Sequence, residues 1–168
     1  MNNDRNRGRD RLMPAIMIWG DKFRMSDIQP PNEHLWVGQG ISPVALTRTS
    51  WTTHDAIFVG FKDGSTYSNH SHINAGSFVL DADGVRCAID LGPHNSLEQR
   101  GIYLWNSSQN SQQWEVFRYI NFVHNTLTVN GQLHKVDVMI QIDSYLSTLD
   151  FMNAVLDILS LFVGELAE

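Results

Sequence analysis

Two histidines stand two residues apart in Asn69-His70-Ser71-His72-Ile73-Asn74-Ala75-Gly76. On an extended chain this spacing puts both imidazoles on one face, where they can share a metal ion; on a turn it sends them to opposite sides. Zinc takes neutral imidazole nitrogens and carboxylate oxygens at about 2.0 to 2.2 Å, and three protein ligands leave a fourth position for water or substrate. Asp90, in Ala88-Ile89-Asp90-Leu91-Gly92, and His124, in His124-Asn125-Thr126-Leu127, are further donors of suitable type. Each also has a plainer use: a histidine can cap a turn, Asp90 can close one before Leu91-Gly92, and His124 can bond its own loop.

These residues need a scaffold, and from Trp51 onward the chain reads as β structure, with short apolar or alternating runs punctuated by Gly, Asn and Asp. Ala56 to Phe61 is the first clear strand, closed by a turn at Lys62-Asp63-Gly64. Ser77 to Ala82 and Val85 to Asp90 flank Asp83-Gly84, the pair that suits a two-residue type I′ turn. That register pairs Ala82 with Val85, Leu80 with Cys87, Phe78 with Ile89 and Ser77 with Asp90, and sets an Asp81/Arg86 ion pair across the strands. It makes Cys87 a small buried hydrophobe. Ser77 lies only five residues beyond His72, so Ala75-Gly76 must fold the chain back if His72 and Asp90 are to meet. Further strands are expected at Trp114 to Arg118 and at Thr126 to Val129, before a turn at Asn130-Gly131, with Asn106 to Gln113 a solvated loop.

The final stretch changes period. Tyr145, Leu149, Met152, Leu156, Leu159, Val163 and Leu166 recur at spacings of four and three, which predicts an amphipathic helix. Asp150, Asn153, Asp157 and Ser160 interrupt its other side, so no membrane span is expected there. The fold class that follows is mostly β: an antiparallel β-sandwich fragment with a C-terminal amphipathic helix. Its parts are a charged N-terminal segment (1–18), a β-sandwich part (19–142) and the helix (143–168).

The formal charge of −6 argues against a surface that binds nucleic acid through bulk electrostatics, so any acidic ligand must be held locally. One cysteine excludes an intrachain disulfide framework. The opening Met1 to Leu12 has four arginines and two aspartates, and no apolar run behind it is long enough for a signal peptide.

His-x-His followed by a distant histidine is also the pattern of cupin metalloenzymes, but cupins place a glutamate soon after the second histidine, and Ile73 to Phe78 contain none. A different ordered set is present: Thr49-Ser50-Trp51-Thr52, Phe58-Val59-Gly60-Phe61-Lys62, Asn69-His70-Ser71-His72, Ala75-Gly76-Ser77-Phe78, Ala88-Ile89-Asp90-Leu91-Gly92 and His124-Asn125-Thr126-Leu127. Over approximately Trp19 to Gln132 the chain resembles the heparinase II/III-like polysaccharide lyases. The resemblance implies an α/α toroid followed by antiparallel β-sandwich material, with this chain covering part of the sandwich, and cleavage of uronate-containing polysaccharides by β-elimination. It implies His70 as the catalytic histidine facing the substrate, and His72, Asp90 and His124 as ligands of one zinc ion with a structural role. It also implies an acidic polysaccharide substrate gripped together with the toroid, and a periplasmic or secreted parent protein. Asn74 stands where relatives usually carry aspartate, and only Pro93-His94 separates Leu91-Gly92 from Asn95, where relatives often have a longer insertion with a tyrosine.

β-Elimination removes the C5 proton beside the uronate carboxylate, so it needs a base, stabilisation of the resulting anion, and a proton for the leaving oxygen. The resemblance assigns most of that work to the toroid, which makes this chain inactive by itself. A non-catalytic carbohydrate-binding or assembly module is the competing expectation. There Trp105, Trp114 and Tyr119 would stack on sugar rings, although Val116 and Phe117 beside Trp114 favour a core position for it.

Overall fold

The computed structural model describes residues 13–22, 24–65, 71–92, 101, 103–148 and 150–162. The chain divides into two units, Met1–Asn32 and Glu33–Glu168. In the first, a helix α1 (Met13–Trp19) is followed by 3-10 turns at Gly20–Lys22 and Met25–Asp27.

The second unit is built on an antiparallel sheet of five strands in chain order: β1 (Leu35–Gly38), β2 (Val44–Arg48), β3 (Phe58–Lys62), β4 (Ser77–Ala82) and β5 (Val85–Ala88). A second antiparallel sheet pairs β6 (Ile142–Ser147) with β7 (Met152–Leu156). Side-chain bonds join the sheets, from Thr47 Oγ1 to Met152 Sδ at 3.1 Å and from Gln39 Nε2 to the Ile142 carbonyl at 2.9 Å. The mostly β, antiparallel two-sheet expectation therefore holds. No helix is long and apolar enough among the described residues to cross a membrane.

The Asp83-Gly84 turn forms as its residue types require: both take positive φ (52° and 72°), and Ala82 faces Val85 and Asp81 faces Arg86. Arg86 grips Asp81 with two hydrogen bonds, Nε to Oδ1 at 2.5 Å and Nη2 to Oδ2 at 2.7 Å. Beyond that pair the expected register fails. A bulge opposes Leu80 to Ala88 instead of Cys87, and Cys87 is exposed.

The C-terminal helix expected over 143–168 is replaced by the β6–β7 hairpin and a 3-10 turn at Leu159–Phe162; residues 163–168 lie outside the described residues. Two polar side chains interrupt the helical period by bonding their own backbone. Thr148 Oγ1 donates to the Phe151 carbonyl (2.9 Å) and accepts from the Phe151 N–H (3.0 Å), closing the hairpin turn. Asp157 Oδ1 accepts the Leu159 N–H at 2.9 Å. Leu161 and Phe162 still bury, with Ala75 and Ile140.

The strands expected at Trp114 to Arg118 and Thr126 to Val129 are also absent. The first is a run of 3-10 turns, at Gln112–Glu115, Phe117–Tyr119 and Asn121–Val123. Bonds from Val116 N–H to the Gln113 carbonyl and from Tyr119 N–H to the Val116 carbonyl wind the chain so that Trp114, Val116, Tyr119 and Ile120 all bury around Ile73 and Val136. An alternating strand would put Trp114, Val116 and Ile120 on one face and turn Tyr119 to the other. Around Thr126 the local bonds are again non-strand: its N–H reaches the His124 carbonyl and its hydroxyl the Ala75 carbonyl. The turn at Asn130-Gly131 does form, with φ of 51° and 65°.

Candidate functional site

Three segments far apart in sequence converge beside the β4–β5 hairpin. The first, Ser71 to Gly76, is sewn to the 3-10 run: Ile73 N–H donates to the Tyr119 carbonyl at 2.8 Å, and Gln113 Nε2 donates to the Ser71 carbonyl at 3.2 Å. Ile73, with no exposed surface, plugs the core, and the His72 ring lies against Tyr119 with centroids 4.4 Å apart. The chain then reverses as expected at Ala75-Gly76: Ser77 N–H bonds the Asn74 carbonyl, and Gly76 takes φ 70°. A Cβ there would stand 3.2 Å from Ile158 Cγ2, so both conformation and space call for glycine.

The second segment carries Asp90 and the third His124. The residue that brings them together is Asn125. Its carbonyl accepts the Phe78 N–H at 3.2 Å, and its Nδ2 donates to the carbonyls of Phe78 (2.9 Å) and Ile89 (3.2 Å). Asn125 thus occupies the place where β5 would have continued along β4. On the β5 side the ladder therefore ends at Leu80 and Ala88, Ser77 has no Asp90 opposite it, and Asp90 turns toward the residue before Asn125, His124. Sequence reasoning gave Asn125 no role, because its bonds depend on which strand end it meets.

His124 Nδ1 lies 2.5 Å from Asp90 Oδ2, and the rings of His72 and His124 have centroids 5.4 Å apart. His124's side chain is fully buried, and its Nε2 has no hydrogen-bond partner among the described residues. Burial first, and then the nearby His124, lower the His72 pKa to about 4, so the ring is neutral at pH 7. Burial pushes the Asp90 carboxyl upward, but the Gly92 amide on Oδ1 at 2.7 Å and His124 on Oδ2 outweigh it and hold the group below its usual value. Neutral imidazole beside ionised carboxylate is the protonation state in which these groups bind a cation. The Nδ1–Oδ2 contact is a hydrogen bond, closer than the roughly 3.3 Å between two ligands of a tetrahedral zinc ion. Correspondingly, no group of three or more His, Cys, Asp or Glu among the described residues is arranged to hold a metal ion. The expected ligands are therefore neighbours in hydrogen-bonded form. His70, the expected catalytic residue, and His94 lie outside the described residues.

An open cleft of about 540 Å³ adjoins this cluster, lined by His72, Asp90, Lys62, Asn74, Trp105 and Tyr119, among others. Lys62 was not anticipated. Its ammonium donates to Asn74 Oδ1 at 2.8 Å, and burial lowers its pKa against the opposing pull of Asp63 and Asp90. Of the three aromatics considered for sugar stacking, Trp114 and Tyr119 are core residues and Trp105 is 53% exposed on the cleft.

Comparison with known families matches residues 49–141 to the family described as Heparinase II/III-like, C-terminal. That span contains His72, Asp90, His124, the Asn125 wedge and the cleft. No curated protein matches the chain. With more than half of its residues in the match, this chain belongs to the heparinase II/III-like C-terminal family.

Proposed function

We propose that this chain is the metal-bearing β-domain of a polysaccharide lyase that cleaves uronate-containing polysaccharides by β-elimination, in a parent protein that works in the periplasm or outside the cell. The observation that carries the reading is the meeting of His72, Asp90 and His124 from three separate segments, within the span matched by the family. Two imidazoles and a carboxylate suit zinc in kind, and the buried His124 Nε2 is a polar atom that the described residues leave unsatisfied. Bound there, zinc would supply a cross-link between loops.

The chain's own residues do the rest. Asn125 holds Asp90 against His124, while Gln113 and Tyr119 anchor the backbone on either side of His72, two residues after His70. The role assigned to the metal is to fix that loop for the catalytic work of His70, a positioning role separate from Lewis-acid chemistry. The base and most substrate contacts belong to the α/α toroid, so the chain alone is inactive toward polymer.

Metal content decides this reading. The purified chain should hold about one zinc per molecule by elemental analysis, and His72→Ala should lose it while keeping its circular dichroism. Incubation with uronate polymers should give no ultraviolet-absorbing unsaturated product. Zinc retained by His72→Ala would sink the ligand assignment, and product formed by this chain alone would sink the division of labour. Exposed Trp105 on the cleft favours a second reading, a non-catalytic glycan-binding module. That reading wins if Trp105→Ala abolishes glycan retention while His72→Ala leaves it intact.

A further inference from the structure

Strand register sorts the five-stranded sheet into two faces. Residues directly opposed across strands share a face, so Arg48, Phe58, Asp81 and Arg86 form one row across β2, β3, β4 and β5. The row Val44, Lys62, Ser77 lies on the same face, because Lys62 is four residues from Phe58 along β3, about 13 Å away. Between them runs Trp36, Leu46, Gly60, Val79. Trp36 is 57% exposed and covers Gly38, where a Cβ would run into its ring. The indole is therefore laid along the strand as an open platform.

Charge on this face departs from that of the chain. Against a net −6 overall, the strand residues here carry three basic side chains (Arg48, Lys62, Arg86) and one carboxylate, Asp81. Arg48, Arg86 and His54 line a groove of about 630 Å³ together with Phe58 and Asp81. Arg48 is held in place by its contact with the Ser50 carbonyl and by stacking 4.9 Å from the centre of the Trp51 ring. The Arg86–Asp81 pair is open to solvent, and such pairs hold little net stability, so an incoming anion can compete for the guanidinium.

We infer that this face of the five-stranded sheet is a binding track for an acidic oligosaccharide, with Trp36 stacking on a sugar ring and Arg48 and Arg86 gripping carboxylate or sulfate groups. Forked guanidinium groups match planar oxyanions, and an exposed flat indole matches the apolar face of a pyranose. A track of about 13 Å between Arg48's row and Lys62's suits a short oligosaccharide. The choice of a glycan as the anion rests on the polysaccharide-lyase reading; the anion site itself rests on the charge and shape of the face.

The test is titration calorimetry of the full chain with a size-defined uronate oligosaccharide, with a neutral glucan, inorganic polyphosphate and single-stranded DNA as comparison ligands. The uronate ligand should bind, more weakly as salt rises, and Trp36→Ala and Arg48→Gln should each weaken it about tenfold with unchanged circular dichroism. Zinc content is read separately by elemental analysis, and Trp36→Ala and Arg48→Gln should leave it unchanged, so that failure of the metal reading and failure of the track are separate results. Equal binding of the neutral glucan, binding of polyphosphate or DNA that is as tight and indifferent to Trp36→Ala, or no uronate binding would each overturn the inference.

Discussion

Asp63 offers the sharpest quantitative prediction. Its residue is 1% exposed, and neither carboxylate oxygen accepts a hydrogen bond from a described residue, although its own N–H is satisfied by the Pro43 carbonyl at 2.9 Å. Burial raises its pKa to about 6; the amides of Gly64 and Gly76, which face it from outside hydrogen-bonding geometry, and the Lys62 ammonium oppose the rise. The folded state thus binds this proton more tightly than the unfolded chain, whose value is 3.8. An acid raised on folding contributes stability that is present below the unfolded pKa and is lost as pH rises through the folded one. Between pH 4 and pH 7.5 that loss comes to roughly 2.5 kcal/mol.

Asp63→Asn removes the titration while keeping the shape. A buried amide donor adds its own cost of about 1–3 kcal/mol, but that cost does not vary with pH. Urea unfolding of both proteins at pH 4 and pH 7.5 isolates the term, because the other titrating groups cancel in the difference. The wild type should lose roughly 2.5 kcal/mol relative to Asp63→Asn on going to pH 7.5. A gap that stays constant across this range, or that changes in the opposite direction, would refute the claim that burial raises the pKa of Asp63.

Two further expectations probe the hairpin and the turn before it. Gly76→Ala puts a Cβ at φ 70° and 3.2 Å from Ile158 Cγ2, so it should lower stability by about 1–2 kcal/mol in urea and weaken zinc retention through the His72 loop; an unchanged unfolding midpoint would count against that turn. Cys87, exposed by the bulge, should react with a disulfide reagent in the native protein at a rate close to that of the unfolded chain, whereas a protected thiol would restore the bulge-free register.

Residue type and local spacing by themselves determined the Asp83-Gly84 turn with its Asp81/Arg86 pair, the reversal at Ala75-Gly76 and the turn at Asn130-Gly131; for the site they offered His72, Asp90 and His124 only as donors of suitable type, and the family resemblance set them together. Each turn depends on chemistry written within a few residues: a left-handed backbone at the turn and opposite charges at facing positions. Periodicity misled where two structures could satisfy it. Apolar residues at spacings of three and four between Ile142 and Phe162 serve a helix, but Thr148 and Asp157 bond their own backbone and yield a hairpin and a turn. The apolar run around Trp114 reads as a strand by residue type, but contacts with Ile73 and Val136, distant in sequence, go with a 3-10 path that buries Trp114, Val116, Tyr119 and Ile120 and leaves Phe117 exposed.

Only the tertiary structure decided how Asp90 reaches His124. The bulge at Leu80 and the Asn125 side chain, reaching from 36 residues away to the Ile89 carbonyl, end the β4–β5 pairing early and swing Asp90 out of the ladder. The shared face of Trp36, Arg48 and Lys62 likewise exists only once the strand register is set. The physical reason is common to both: a hydrogen bond or a shared face between distant segments depends on where the whole chain places them, and residue spacing along the sequence carries no record of that.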